Sequence, residues 1–288
     1  MSEGAVARAR SVDRHDVEAW LDRLVRNNRF TIAVVFPLTG AVMLLASAEG
    51  LLPDPLAFNP YLVLLGTMVM RLPLVGGLAP LLDRRAVLAL GALVLYAYAI
   101  EAVGLATGWP YGDFAYEVAL GPMLGGELPL GLPVFFLPLV LNSYLLCLLL
   151  LGERAGNPAV RLGTVVAAVL AVDLVLDPAA VALGFWSYGG GVYYGVPLSN
   201  YAGWVLSATV SVVAVDAAFS RTALLARVRS CPYVLDDLVS FVVLWGAVNA
   251  FYGAWIPVAV ALTFAVGLLQ LDRFDFSVWG RLAGRSSG

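Results

Sequence analysis

Charged side chains are missing from one long stretch of this chain after another. None stands between Arg29 and Glu49, between Glu127 and Glu153, between Asp177 and Asp216, or between Asp237 and Asp272. Lipid offers the backbone no hydrogen-bond partners, so a chain with such runs has two spanning solutions, bundled helices or a closed barrel. Barrel strands alternate apolar and polar residues in segments of about ten, whereas these runs are continuous. Composition agrees with helices in lipid: 61% of residues are hydrophobic and 13% charged, with a mean hydropathy of +0.87. A soluble domain carries roughly 25% charged residues. The expected fold class is therefore all-α, a polytopic integral membrane helical bundle.

A helix needs about 20 apolar residues to cross the hydrocarbon layer. That length places spans near residues 30–49, 58–80, 86–107, 132–151, 160–185 and 201–219. Residues 236–270 are apolar throughout but short for two full crossings. Gly253 and Pro257 there suggest a tight hairpin between shortened helices, with a re-entrant pair as the alternative. Orientation follows from positive charge, which collects on cytoplasmic flanks. The chain has no Lys; six of its Arg precede the first span, and the others stand at 84, 85, 154, 161, 221, 227, 229 and from 273 onward, with Arg71 alone inside a span. The opposite connections, 50–57, 108–131 and 186–200, contain no Arg. Both termini are thus expected in the cytoplasm of a plasma-membrane protein, with about eight spans (seven the alternative). The expected organisation is a cytoplasmic N-terminal segment 1–29, a single transmembrane domain 30–270 and a cytoplasmic tail 271–288, disordered over RLAGRSSG at 281–288.

Several classes are excluded. The N-terminal segment mixes acids with bases and lacks the apolar core of a secretory signal. Cys147 in a span and Cys231 in a cytoplasmic loop make neither a disulfide framework nor a metal site. The one histidine, His15, lies in the charged N-terminal segment and reads as solvated. Net charge of −3 and a pI near 5.2 offer no basic surface to nucleic acid. Gly189, Gly190 and Gly191 lack the following Lys of a phosphate loop. Paired acidic clusters for magnesium, a serine nucleophile elbow and a Cys/His dyad are all absent.

What breaks the apolar pattern carries the information, because ionisable groups inside a span cost several kcal/mol on insertion scales and are functional candidates. Asp216, near the cytoplasmic end of its helix beside Arg221, reads as a surface pair. Glu101 lies in the outer third of the third helix. Asp173 and Asp177, four apart, share one face of the fifth. Asp177 followed by Pro178 also has the pattern of an N-cap with proline at N1, re-starting a broken helix. Asp173 also reads as a partner for Arg71 or a polar contact between helices. The Arg-free connections GWPYGDFAYEVALGP (108–122) and GFWSYGGGVYYGVPLSNYAGW (184–204) are dense in Gly, Pro and aromatics, with Asp113, Ser199 and Asn200 as polar groups. They read as a structured lid rather than only an interfacial aromatic belt.

Carboxyls, an amide, hydroxyls and aromatic faces suit acid-catalysed addition of water to an alkene in an apolar substrate. A carboxyl kept neutral by burial donates a proton, and ring faces stabilise the cation that results. No cofactor or metal is required. At these residues the chain also resembles a known family. The blocks EAVGLATGWPYGDFAY, LGP at 120–122 and LDPAAVALGFWSYGGGVYYGVPLSNYAGW, with the helix arrangement, closely resemble the CruF-type carotenoid hydratases over roughly residues 30–270. The resemblance implies hydration of the terminal isopropylidene bonds of a long acyclic carotenoid to tertiary alcohols; in haloarchaea this is bisanhydrobacterioruberin going to bacterioruberin. Its matching polar positions are Glu101, Asp113, Asp177 and Asn200, surrounded by Trp109, Tyr111, Trp186, Tyr193 and Tyr194. Glu101 or Asp177 is expected to donate the proton, Asp113 to orient the water and Asn200 to hydrogen-bond it, with Asp173 and Arg71 as neighbours at the substrate.

The expected partners are the carotenoid and membrane lipid, with other membrane enzymes of the same pathway as neighbours. Two other classes compete. A proton-coupled transporter would use the same buried carboxyls, but the halves show no inverted repeat. A non-catalytic carotenoid-binding protein would want the same aromatic walls. Its retinal version needs an intramembrane Lys, and there is none.

Overall fold

A computed structural model of the chain describes residues 14–274; the expected disordered tail at 281–288 lies outside them. The described chain is mostly helical. In order, its helices are α1 (Arg14–Phe30), α2 (Phe36–Ala48), α3 (Pro60–Leu78), α4 (Arg84–Thr107), α5 (Leu132–Leu151), α6 (Pro158–Ala182), α7 (Leu198–Ala218), α8 (Arg221–Ser230), α9 (Asp236–Phe251) and α10 (Trp255–Gln270). Their starts are written in local chemistry. Asn59 and Asn157 accept hydrogen bonds from the first free N–H groups of α3 and α6, each with proline next in line, and Asp83 caps α4. Gly108, at φ 72°, ends α4 in the left-handed conformation that glycine tolerates.

Among the described residues, six helices are long and apolar enough to cross a membrane: Arg14–Ala48, Pro60–Leu81, Arg84–Thr107, Leu132–Gly156, Pro158–Ala182 and Leu198–Ala218. The first is longer than its apolar run. Helix α1 starts at Arg14, kinks at Asn28 (φ −122°, ψ 17°) and runs on through a π-helical turn, Thr31–Val35, into α2. Helices α9 and α10 form the hairpin expected for 236–270, turning at Gly253 with φ 69°. Each has 16 residues, about 24 Å at 1.5 Å per residue, against a hydrocarbon layer about 30 Å thick. This shortfall is why they fall outside the six. Large apolar side chains such as Val42, Leu65, Leu95, Val213 and Leu262 stand exposed on the outer faces of the helices. Exposed apolar surface of that extent is a surface for lipid.

The all-α expectation misses a small element of sheet. β1 (Phe114–Tyr116) pairs antiparallel with β4 (Trp186–Tyr188), in the register Phe114↔Tyr188, Ala115↔Ser187 and Tyr116↔Trp186. β2 (Met123–Leu124) pairs with β3 (Leu128–Pro129). The first ladder ties the two Arg-free connections to each other over the ends of α4 and α6. Helix α6 packs against α5, α7, α9 and α10, while α4 packs against α5 and α7. The acidic positions of α4 and α6 therefore flank α7.

Three expectations about the intramembrane charges need correction. Helix α6 is unbroken, and Asp177 caps nothing. Pro178 lacks the N–H that would bond the carbonyl of Leu174, but Tyr193 Oη donates to that oxygen at 3.2 Å, so the freed acceptor is satisfied and the helix persists. Arg71 pairs with Asp237 of α9, not with Asp173, and donates Nε to Val134 O at 3.1 Å. Asp216 pairs with Arg161, at 2.6 and 2.9 Å, and accepts from Tyr144. Arg161 lies in the first turn of α6 and reaches across to α7, a separation that linear sequence hides.

Candidate active site

Glu101 and Asp177 line one cavity beneath the lid, of about 120 Å³. Tyr111, Tyr116, Phe185, Trp186, Tyr188, Trp204 and Trp245 supply most of its aromatic wall, and Asn200 its amide. Helix α4 presents Glu101 from one side and α6 presents Asp177 from another. Helix α7 carries Asn200 and Trp204 between them, and Trp204 stacks on Phe136 at 5.8 Å.

Each carboxyl is held by the lid. Tyr116 Oη donates to Glu101 Oε1 at 2.5 Å. Burial, and then the neighbouring Glu101, push the Tyr116 phenol well above its ordinary range, so it remains a donor. Asp177 Oδ2 accepts from Asn200 Nδ2 and from Tyr188 Oη, the latter at 3.3 Å. Asn200 Nδ2 also donates to Asp173 Oδ2 at 3.1 Å. Among the described residues nothing bonds Glu101 Oε2 or Asp177 Oδ1, and these are the atoms left for chemistry in the cavity.

The aromatic frame is locked from behind. Tyr111 Oη lies 2.6 Å from Ser207 Oγ, which lies 3.0 Å from Tyr96 Oη. Gly203 lets the lid approach α7: a Cβ there would stand 2.5 Å from Tyr111 Cδ1 and 2.9 Å from the Pro110 carbonyl. Gly203→Ala should therefore overpack the site and destabilise the protein by about 1–3 kcal/mol, read as a lower unfolding temperature of the detergent-solubilised chain.

Of the residues picked out in the sequence, Glu101, Asp177, Asn200, Tyr111, Trp186 and Arg71 line this cavity. Asp173 is buried directly behind Asn200, and among the described residues no group bonds its Oδ1. Asp113 is exposed, its carboxylate folded against Gly108. Trp109 and Tyr194 are exposed outside the cavity, and Tyr193 serves the backbone of α6. The sequence reading passed over Tyr116 and Tyr188, although both lie within the two lid blocks. Phe185 and Trp204 lie in the second block as well, while Trp245 of α9 joins them only through packing. Among the described residues no three His, Cys, Asp or Glu converge as a metal cage.

A bundle of apolar helices encloses an aromatic chamber that two carboxyls line, an architecture of the helical membrane-protein class. The sequence gives the family. Residues 58–268 match the family described as carotenoid biosynthesis protein, and the chain belongs to it. It is 63% identical over 271 residues to bisanhydrobacterioruberin hydratase of Haloarcula japonica, covering 94% of this chain and 92% of that protein. No solved structure matches it significantly.

Proposed function

We propose that this chain hydrates the terminal isopropylidene double bonds of a long acyclic carotenoid, taking bisanhydrobacterioruberin to bacterioruberin. The observation that carries this reading is the meeting of Glu101 and Asp177 on one aromatic-walled cavity, in a close relative of a protein named for that hydratase. Glu101, with Oε2 unengaged, gives its proton to the CH carbon of the trisubstituted alkene, whose π electrons form the new C–H bond. The tertiary cation left on the dimethyl carbon faces the ring faces of Trp186, Trp204 and Trp245, which stabilise positive charge. Asp177, which accepts from Asn200 and Tyr188, takes a proton from the water that attacks this carbon. The proton then passes from Asp177 back to Glu101, so the sum is one water added per end, with no redox change and no cofactor in the balance.

Asn200 fixes Asp177 and reaches the same water; Asp173 in turn holds Asn200. The water-orienting part expected of Asp113 falls to these two groups. The chamber and its lid lie toward the outer face of the plasma membrane, with both termini in the cytoplasm. The hairpin of α9 and α10 brings the crossings to eight, within a single transmembrane domain over 30–270. The carotenoid reaches the site from the lipid and from neighbouring enzymes of its pathway.

The test is expression in a host that accumulates the unhydrated carotenoid, with pigments analysed by mass. A gain of one water per modified end is the expected result. Unchanged pigment alongside correctly inserted protein overturns the reading.

A further inference from the structure

The chamber is too small for the substrate proposed above. An apolar cavity of about 150 Å³ takes one benzene, so the 120 Å³ between Glu101 and Asp177 takes the branched end group and little more. The conjugated chain must leave through a wall. A second cavity of about 370 Å³ between α2, α3 and α9 adjoins the chamber and shares Arg71, Phe135, Phe185 and Trp245 with it. Its outer rim includes Phe36, Met43 and Leu62, all exposed on the lipid-facing surface of the bundle.

The groove is built to stay empty and apolar. On the α3 side a Cβ at Gly66 would meet only the edge of Phe36, at 3.8 Å, and on the α2 side one at Gly40 would meet only Leu244, at 3.5 Å. Its few hydroxyls are spent on the backbone. Thr39, Ser47 and Thr67 donate to the carbonyls of Val35, Met43 and Val63 at 2.8–2.9 Å. Asn59 is the cap of α3. Arg71 is the charged group on the lining, and its guanidinium is engaged by Asp237 and the Val134 carbonyl, which leaves an extended hydrocarbon as the occupant. At the junction Phe185 stands edge-on to both Phe58, at 5.8 Å, and Trp245, at 6.3 Å. Phe58 holds its place at φ 44°, a region that residues with a side chain adopt at a cost.

We infer that the groove between α2 and α3 is the polyene-binding subsite and the lateral access route from the bilayer: the end group reaches Glu101 and Asp177 past Phe185 and Trp245 while the conjugated chain lies between the two helices. This rests on the hydratase reading for its substrate. The binding test does not need turnover. The purified full chain is titrated with an acyclic polyene whose ends are saturated, and binding is read as quenching of tryptophan fluorescence. Gly66→Phe and Thr39→Phe plug the groove from opposite walls without touching the chamber. Each should weaken quenching at least about tenfold, equivalent to 1.4 kcal/mol. Gly66→Val offers a smaller plug if the phenylalanine variant fails to assemble. Wild-type quenching by folded variants at both positions overturns the inference, as does co-purified lipid that the polyene fails to displace. Normal polyene binding by a wild-type chain that never hydrates a carotenoid would instead sink the hydratase reading and leave the groove standing.

Discussion

Glu101→Gln and Asp177→Asn should each reduce carotenoid hydration at least about 100-fold, the lower end of what a positioned general acid or base contributes. Both swaps keep the volume of the side chain. In each, a carbonyl oxygen can still accept from Tyr116, or from Asn200 and Tyr188, the donors that hold these carboxyls now. The fold is therefore retained and the loss is chemical: an amide neither donates the proton an alkene needs nor takes one from water. Tyr116→Phe provides the graded comparison, because it removes the donor to Glu101 and leaves the carboxyl, so its loss should be smaller. Hydrated ends per carotenoid, measured by mass in cells matched for protein level, separate the cases. Activity near normal in both carboxyl variants would remove the two residues from the mechanism.

The sequence exposed part of this arrangement and hid the rest for identifiable reasons. Charge-free runs mark helices directly, because a span has to be apolar along its whole length, and so α3 to α7 stand close to where the runs place them. Glu101, Asp177 and Asn200 were legible because each interrupts apolar or aromatic surroundings, and the chamber gathers all three. Partnership was not legible. Arg71 and Asp237 are 166 residues apart and Arg161 and Asp216 are 55 apart; which carboxylate a buried Arg meets depends on helix rotation and crossing, which periodicity does not report when every face is apolar. The helix break expected at Pro178 failed for a related reason. The donor that replaces the missing N–H comes from Tyr193 in the lid, a contact across a loop. Asp113 is the opposite case: a carboxylate within an aromatic block reads as a site group, yet it folds back on the turn at Gly108, outside the cavity.

The second large effect is on stability. Arg71→Met should destabilise the protein by about 3–5 kcal/mol, since removing one member of a buried ion pair strands the other. The stranded group here is Asp237, fully buried and also accepting from Asn142 Nδ2 at 2.7 Å. Apolar helices around it offer no substitute donor for the lost guanidinium. Adding Asp237→Asn to Arg71→Met removes both charges yet keeps an oxygen for Asn142, so the double variant should recover most of the loss in thermal unfolding of the solubilised protein. If it does not, the pair contributes more than mutual neutralisation. Hydration should follow a different order. Arg71 lines both the chamber and the groove, where an unneutralised cation would oppose the carbocation. Asp237→Asn alone should therefore depress hydration beyond what its stability explains, and the double variant should restore it. A double variant that is stable but inactive would show that the guanidinium itself takes part at the substrate.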